Sequence, residues 1–462
     1  MQAIKDKIKE QGIKQVVKLM SNASDKNLDR IGAFMEKMSG DKENKDRIKL
    51  IRGMIKENHP GIQLVRRITN ETNKKCRDKI ATNLIAKGFL INDAKRKKTQ
   101  KEGSYAPSTV LISPTMRCNI RCIGCYAGNY TMKDDLSFEL FDKVVTESKA
   151  MGTAFFTILG GEPFIRKDLF DILKKHNDTY FQIYTNGTLL DEEKVKKLAK
   201  LGNAMPVLSI EGSEEQTDWR RGKGVYKKVI KAMKLLKKHK VPFGFSTAVT
   251  SKNADYVTSD EYVDMLIKNG AFVGWYFLYM PIGRDADLSL MPTPKQRKAQ
   301  YHRIEEIRAT KPIFMIDFWN DAPSVGGCIA GREYVHITSK GDAEPCIFSH
   351  FAEDNIKNKS MKQIMSSKYF KTLRSKQPYT ENLFLPCMWI DNPEVSREVH
   401  ASCNVYPTHD GAEEIIMKPS VKKGLDKYSK EVHKMYKELW ADRCKGCGCG
   451  ASTKTSKKKA KA

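Results

Sequence analysis

The chain has 462 residues, 40% of them hydrophobic, and a formal net charge of +27. That content supports a sizeable core and excludes global disorder. No run of about 18 apolar residues occurs, which excludes a transmembrane segment of the helical kind. The start, Met1-Gln-Ala-Ile-Lys-Asp-Lys7, is charged at once and lacks the apolar stretch of a secretory signal. A cytoplasmic location is therefore expected. The eleven cysteines then read as metal or redox chemistry rather than disulfides.

Residues 1–105 read as a basic helical domain, with 26 Lys/Arg against 13 Asp/Glu. Ile48, Ile51, Met54 and Ile55 recur at helical spacing between basic residues. Such a stripe suits the packed face of a helical bundle or a helix lying on a membrane surface. A second helix is expected over Lys75–Phe89 with Ile80, Leu84 and Ile85 inward, and polar Asn92–Gly103 as a linker. From residue 106 to 285 short apolar runs alternate with helical patterns. The strands are expected at Thr109–Ser113, Ala154–Leu159, Phe181–Thr185, Met205–Ile210, Phe243–Val249 and Val273–Tyr279. The helices are expected at Phe138–Ala150, Lys167–Lys175, Asp191–Lys200, Val225–His239 and Asp260–Lys268. This alternation means βαβ units and a parallel sheet, hence the α/β class. A helix follows at about Pro294–Ala309. Residues 286–412 form a Cys-containing region that looks loop-dominated from 313 on. Residues 413–462 hold a closing helix, Tyr428–Trp440, and a tail rich in Cys and Lys.

Cys118, Cys122 and Cys125 sit within eight residues. Three thiolates at this spacing can wrap one iron–sulfur cube, and since a four-iron cube takes four cysteines, one iron stays open. A zinc site or chance clustering are the other readings, although zinc cysteines usually come as two short pairs. Gly160-Gly-Glu-Pro163 follows a strand, where two glycines permit close approach of the backbone to a ligand. Thr185-Asn-Gly187 and Leu208-Ser-Ile-Glu-Gly212 end the next two strands.

In order and spacing these segments resemble the signature of radical S-adenosylmethionine (radical SAM) enzymes, from about residue 108 to 282. The resemblance implies a partial TIM-like (β/α)6 barrel whose chemistry sits at the C-terminal strand ends. It implies that Cys118, Cys122 and Cys125 hold a 4Fe-4S cluster that binds SAM through its open iron. It further implies SAM contacts from Gly160, Gly161, Glu162 and Pro163, with Thr185, Asn186, Ser209 and Glu211 close by. Arg220 and Arg221 could reach the SAM carboxylate or could be surface charges. The residue before the third cysteine, often aromatic in the family and set against adenine, is here Gly124. Tyr126 is the expected substitute ring.

A second cysteine group is Cys328, Cys346, Cys387 and Cys403. Val335–Thr338 alternates like a strand and Ser339-Lys-Gly-Asp342 reads as a hairpin turn, which brings Cys328 and Cys346 together. This resembles the opening of the SPASM or twitch extension and implies one auxiliary 4Fe-4S cluster. The dense cysteine run of a full SPASM domain is missing. Cys444, Cys447 and Cys449 lie beside the terminal lysines and read either as a metal site or as an oxidation-sensitive tail. His336, His350, His400 and His409 lack metal-ligand spacing.

The implied activity is reductive cleavage of SAM to a 5′-deoxyadenosyl radical that abstracts hydrogen from a substrate. A ferredoxin or flavodoxin would supply the electron. A peptide or protein is the expected substrate, since such extensions are common in maturases. A membrane lipid or another anionic substrate, met through peripheral membrane contact, accounts better for the charge. A non-catalytic iron–sulfur electron carrier explains the cysteines but leaves Gly160-Gly-Glu-Pro163 without a role.

Overall fold

The computed structural model describes residues 11–12, 25–38, 42–101, 105–127 and 135–447. Its centre is a nine-stranded sheet in the order β7-β6-β5-β4-β3-β2-β1-β8-β9. The six expected strands are present as β1 (Thr109–Ile112), β2 (Phe155–Ile158), β3 (Tyr180–Thr185), β4 (Ala204–Ser209), β5 (Gly244–Val249) and β6 (Val273–Leu278). All pair in parallel. Their connecting helices also fall within a residue or two of expectation, at Phe138–Met151, Leu169–Lys175, Glu192–Leu201, Val225–Lys238 and Asp260–Asn269. Ser137, Asp191 and Ser259 cap three of them by accepting a backbone N–H.

The sheet extends past the six units at both edges. After the helix Pro294–Thr310, β7 (Phe314–Asp317) adds in parallel to β6. At the other edge β8 (Tyr334–Ile337) pairs in parallel with β1, and β9 (Ala343–Glu344) folds back on it. The expected hairpin is thus present, with Gly341 at φ 90° in its turn. His336 ties this edge down: Nε2 lies 2.6 Å from Ser113 Oγ and Nδ1 2.6 Å from Glu344 Oε2. A short antiparallel pair, β10 (Phe351–Ala352) with β11 (Tyr406–Pro407), stands apart.

Residues 313–412 are loop-dominated as expected, with the short strands β7 to β11 and the helices Met361–Met365, Lys368–Lys376 and Pro393–Ser402 set between the loops.

Three expectations for the amino-terminal part are corrected. The polar stretch read as a linker is a helix, Asn92–Lys101. The expected helix over Lys75–Phe89 is an α-helix, Lys74–Lys79, continued as a π-helix, Ile80–Ile91. The wider winding rotates its inward face, so Cys76, Ala81, Asn83 and Ala86 are buried while Ile85 is exposed. On the helix Lys42–Lys56 only Ile55 of the expected stripe is buried, and Ile51 is exposed. The closing helix is longer than expected, Pro419–Cys447.

The amino-terminal helices close the bottom of the barrel. Arg67, on the helix Pro60–Glu71, donates to the carbonyls of Ala271 and Pro312, just before β6 and β7. Asn83 donates to the carbonyls of Asn177 and Thr179, just before β3. The strand C-terminal ends, at the other side, carry the site.

Candidate active site

A cavity of about 290 Å³ is lined by these strand ends and the loops that leave them. The loop after β1 brings Cys118, Cys122 and Cys125 to its wall, together with Tyr126. The turn after β2 contributes Gly160 and Gly161, the end of β3 Thr185 and Asn186, and β4 Ser209. Asn186 Nδ2 lies 3.7 Å from Cys118 Sγ, and the Tyr126 hydroxyl accepts from Gly160 N–H at 3.2 Å.

Three expected contacts do not line the cavity: Glu162, Pro163 and Glu211. Glu162 is buried, and its carboxylate accepts from Thr185 Oγ1 (2.8 Å), Asn186 N–H (2.8 Å) and Phe164 N–H (3.1 Å). It clamps the turn after β2 to the end of β3. Burial pushes this carboxyl up to about 7, against those donors. Pro163 opens a short 3₁₀ turn. The glycines, besides lining the cavity, let the chain pack closely on itself. A Cβ on Gly160 would stand 2.4 Å from Thr115 O, and one on Gly161 2.1 Å from Arg117 O. What comes close to them is the backbone of the cysteine loop, which accepts from Gly161 N–H and Glu162 N–H.

Glu211 acts through the two arginines. Its Oε1 lies 2.7 Å from Arg220 Nη1 and 2.5 Å from Arg221 Nη2. Its Oε2 accepts from Ala248 N–H at 3.0 Å. The pair is thereby set in the cavity wall, where Arg220 reaches Gly124 O (3.3 Å) and Arg221 reaches Cys122 Sγ (3.9 Å). Arg284, from the loop after β6, joins them and donates to Cys122 O at 3.2 Å.

The ring at Gly124 comes from Tyr279. Gly124 has φ 59°, and a Cβ there would stand 2.5 Å from Tyr279 Cε2. Tyr126 packs elsewhere, edge-on to Phe348 at 6.2 Å. The glycine thus makes room for an aromatic from the residue just after β6, which no local motif announces. Gly124→Ala is expected to cost about 1–2 kcal/mol from the left-handed backbone alone, plus the displaced ring. Tyr279→Ala should relieve only the second part. Denaturation midpoints of the two single variants and the double variant check this, with non-additivity as the expected result.

The donor set suits iron. Burial pushes the Cys125 thiol up and Cys122 adds to the shift, while Arg220 and Arg284 oppose it. Such a thiol needs a cationic partner to become a ligand, and the arginines offset the charge of an anionic cluster. Among the described residues no three His, Cys, Asp or Glu converge as for a single metal ion. A cube holds its cysteines on different irons and spreads them more widely.

Of the second cysteine group, Cys328, Cys346 and Cys387 lie near Tyr334. Cys346 Sγ accepts from Tyr334 Oη at 2.8 Å and from Phe348 N–H at 3.4 Å. Cys387 Sγ accepts from Trp389 N–H at 3.4 Å. Burial pushes the Cys346 thiol up to about 12, with Cys328 contributing. Cys403 follows the helix Pro393–Ser402 and is half-buried. Cys444 is half-buried on the last helix, which ends at Cys447. Cys449 and the lysine tail lie outside the described residues.

A partial α/β barrel with these two cysteine groups at its catalytic end defines an iron–sulfur barrel enzyme. Residues 112–262 match the model of the radical SAM superfamily, and residues 328–388 match that of SPASM, an iron–sulfur cluster-binding domain. The chain thus carries a radical SAM domain and a SPASM-type extension, whose cofactors are SAM and 4Fe-4S clusters. It is similar to the AdoMet-dependent heme synthase of Methanosarcina barkeri, 25% identical over 299 residues, covering 58% of this chain and 85% of that protein. It is similar to the sporulation killing factor maturation protein SkfB of Bacillus subtilis, 26% identical over 277 residues, covering 57% and 66%. In fold it resembles the crystal structure of Streptococcus suis SuiB bound to precursor peptide SuiA. There the TM-score is 0.53 and the identity 19%, over 61% of this chain and 70% of that one. An enzyme of this class is more than an electron carrier, and the carrier reading is set aside.

Proposed function

We propose that this chain is a peptide- or protein-modifying radical SAM enzyme with 106–285 as its catalytic core and 286–412 as its auxiliary-cluster region. Residues 1–105 and 413–462 flank these two units. Cys118, Cys122 and Cys125 hold the SAM-binding cluster. Gly160, Gly161, Thr185, Asn186, Ser209 and Tyr126 form the cofactor walls, and Arg220 and Arg221 face the SAM carboxylate. Cys328, Cys346 and Cys387 hold one auxiliary cluster, with Cys403 as the remaining candidate ligand. When bound and reduced, SAM supplies at that first cluster the 5′-deoxyadenosyl radical that removes a hydrogen atom.

The observation that carries the reading is the division of the cavity wall. Its cations, Arg220, Arg221 and Arg284, all contact the cysteine loop or the residues around it. The rest of the lining is uncharged and includes a group of aromatic side chains, among them Phe155, Tyr184, Trp275, Phe277 and Phe318. Trp275 and Phe277 stack at 5.7 Å. Such walls exclude water from a reactive radical and suit an apolar side chain presented by a peptide. The likeness to SkfB, named for maturation, and to the SuiB fold, solved with a precursor peptide, supports the same class.

A lipid at a membrane surface is the second reading. It is favoured by the helix Lys42–Lys56, which exposes Leu50 and Ile51 among its lysines. No helix among the described residues is long and apolar enough to cross a membrane. The test is the rate of 5′-deoxyadenosine formation by anaerobically reconstituted protein with a flavodoxin or ferredoxin reductant. A peptide fraction is expected to raise the rate. A rise with anionic vesicles alone would move the function to lipid. A rise with porphyrins alone would move it to the chemistry named for the M. barkeri relative.

A further inference from the structure

One side chain connects the second cysteine group to the cavity. Tyr334 opens β8, and its register opposite Thr109 of β1 sets it on the barrel's inner surface. Its ring lines the cavity and packs edge-on to Phe318 at 6.3 Å. Its hydroxyl reaches Cys346 Sγ at 2.8 Å, and the residue is 4% exposed. At that distance the phenol O–H donates to the sulfur. The second donor to Cys346, Phe348 N–H, also belongs to a residue of the cavity wall.

A hydrogen bond to a cysteinate sulfur withdraws charge from a cluster and stabilises its reduced, more negative state. Buried away from water, that bond is electrostatically stronger than it would be in solvent. We propose that Tyr334 is a positioning residue that raises the reduction potential of the auxiliary cluster through its O–H···Sγ bond to Cys346, from inside the substrate cavity. This rests on reading Cys346 as a cluster ligand. The consequence is an electron acceptor tuned from the wall that a substrate radical would touch. Its tuning group is a side chain that substrate can press on.

The test is a potentiometric EPR titration of the anaerobically reconstituted full chain and of Tyr334→Phe. The signal left unchanged by added SAM reports the auxiliary cluster. The expected result is full iron content in both proteins and a lower midpoint potential in the variant. An unchanged midpoint overturns the proposal, because a tyrosine that only filled space would leave the potential alone. Where Tyr334→Phe fails to retain the cluster, pulsed EPR of the unsubstituted protein in deuterated buffer decides. An exchangeable deuteron coupled to that signal supports the bond beyond the backbone donor, and its absence overturns it. No SAM-independent signal at all, with the SAM-dependent one present, removes the ligand reading and the inference with it.

Discussion

Replacing Cys118, Cys122 and Cys125 together by alanine is expected to abolish 5′-deoxyadenosine formation and to lower the iron content by about four atoms per chain, one cube's worth. The three sulfurs share one loop and one cavity wall, so a cluster held by them has no substitute ligand nearby. The auxiliary group should keep its own iron, since its cysteines are anchored by a different set of donors around Tyr334 and Trp389. Iron analysis with chromatographic detection of 5′-deoxyadenosine checks both statements at once. Residual SAM cleavage in the triple variant would mean that the reactive cluster sits elsewhere.

The second large effect is expected at Glu211. Its carboxylate is 1% exposed and is the counter-ion of both Arg220 and Arg221, themselves 8% and 12% exposed. Glu211→Gln keeps the shape but leaves two guanidiniums buried without it. Breaking a buried ion pair from one side costs about 3–5 kcal/mol. The arginines should also leave the cavity wall, so SAM binding weakens along with stability. The variant should unfold at clearly lower denaturant, and titration calorimetry should show the loss of SAM affinity.

The pH dependence carries a sign. Burial raises the Glu211 carboxyl, but the guanidiniums of Arg220 and then Arg221 outweigh it and hold it below its ordinary value. Its folded-state value is thus depressed. Its contribution to stability is fully present above the ordinary carboxyl value of about 4.3 and is lost as pH falls through the depressed one. The stability gap between the native protein and Glu211→Gln should therefore stay constant from neutral pH to about 4.3 and close below it. A gap that narrows already between pH 7 and pH 5 would contradict the assignment.

Much of this protein is legible in its sequence, and the parts that are not share a cause. The six strands of the barrel and five of its helices announce themselves through apolar runs and 3.6-residue spacing, because each element buries one face and the pattern repeats locally. The cysteine loop is legible for the same reason: three ligands within eight residues need no distant partner to be recognised. By contrast β7 is four residues long and exists because β6 offers a free edge. The π-helix after Lys79 looks apolar and α-helical by composition; its polar residue Asn83 turns inward only because carbonyls at the barrel base await it.

The site divides in the same way. Cys118, Cys122, Cys125 and the glycine turn after β2 are determined by sequence alone, as is the class of chemistry they serve. Only the tertiary structure decides that Glu162 clamps two strand ends instead of facing the cavity, that Glu211 works through Arg220 and Arg221, and that the ring at Gly124 is Tyr279. It alone brings Tyr334 onto Cys346. Spacing along a chain specifies which groups can share one small cofactor. Which buried charge meets which counter-ion, and which ring fills which gap, is settled by contacts between residues that no local pattern pairs, where the cost of an unpaired charge or an empty volume is felt only once the chain has closed around it.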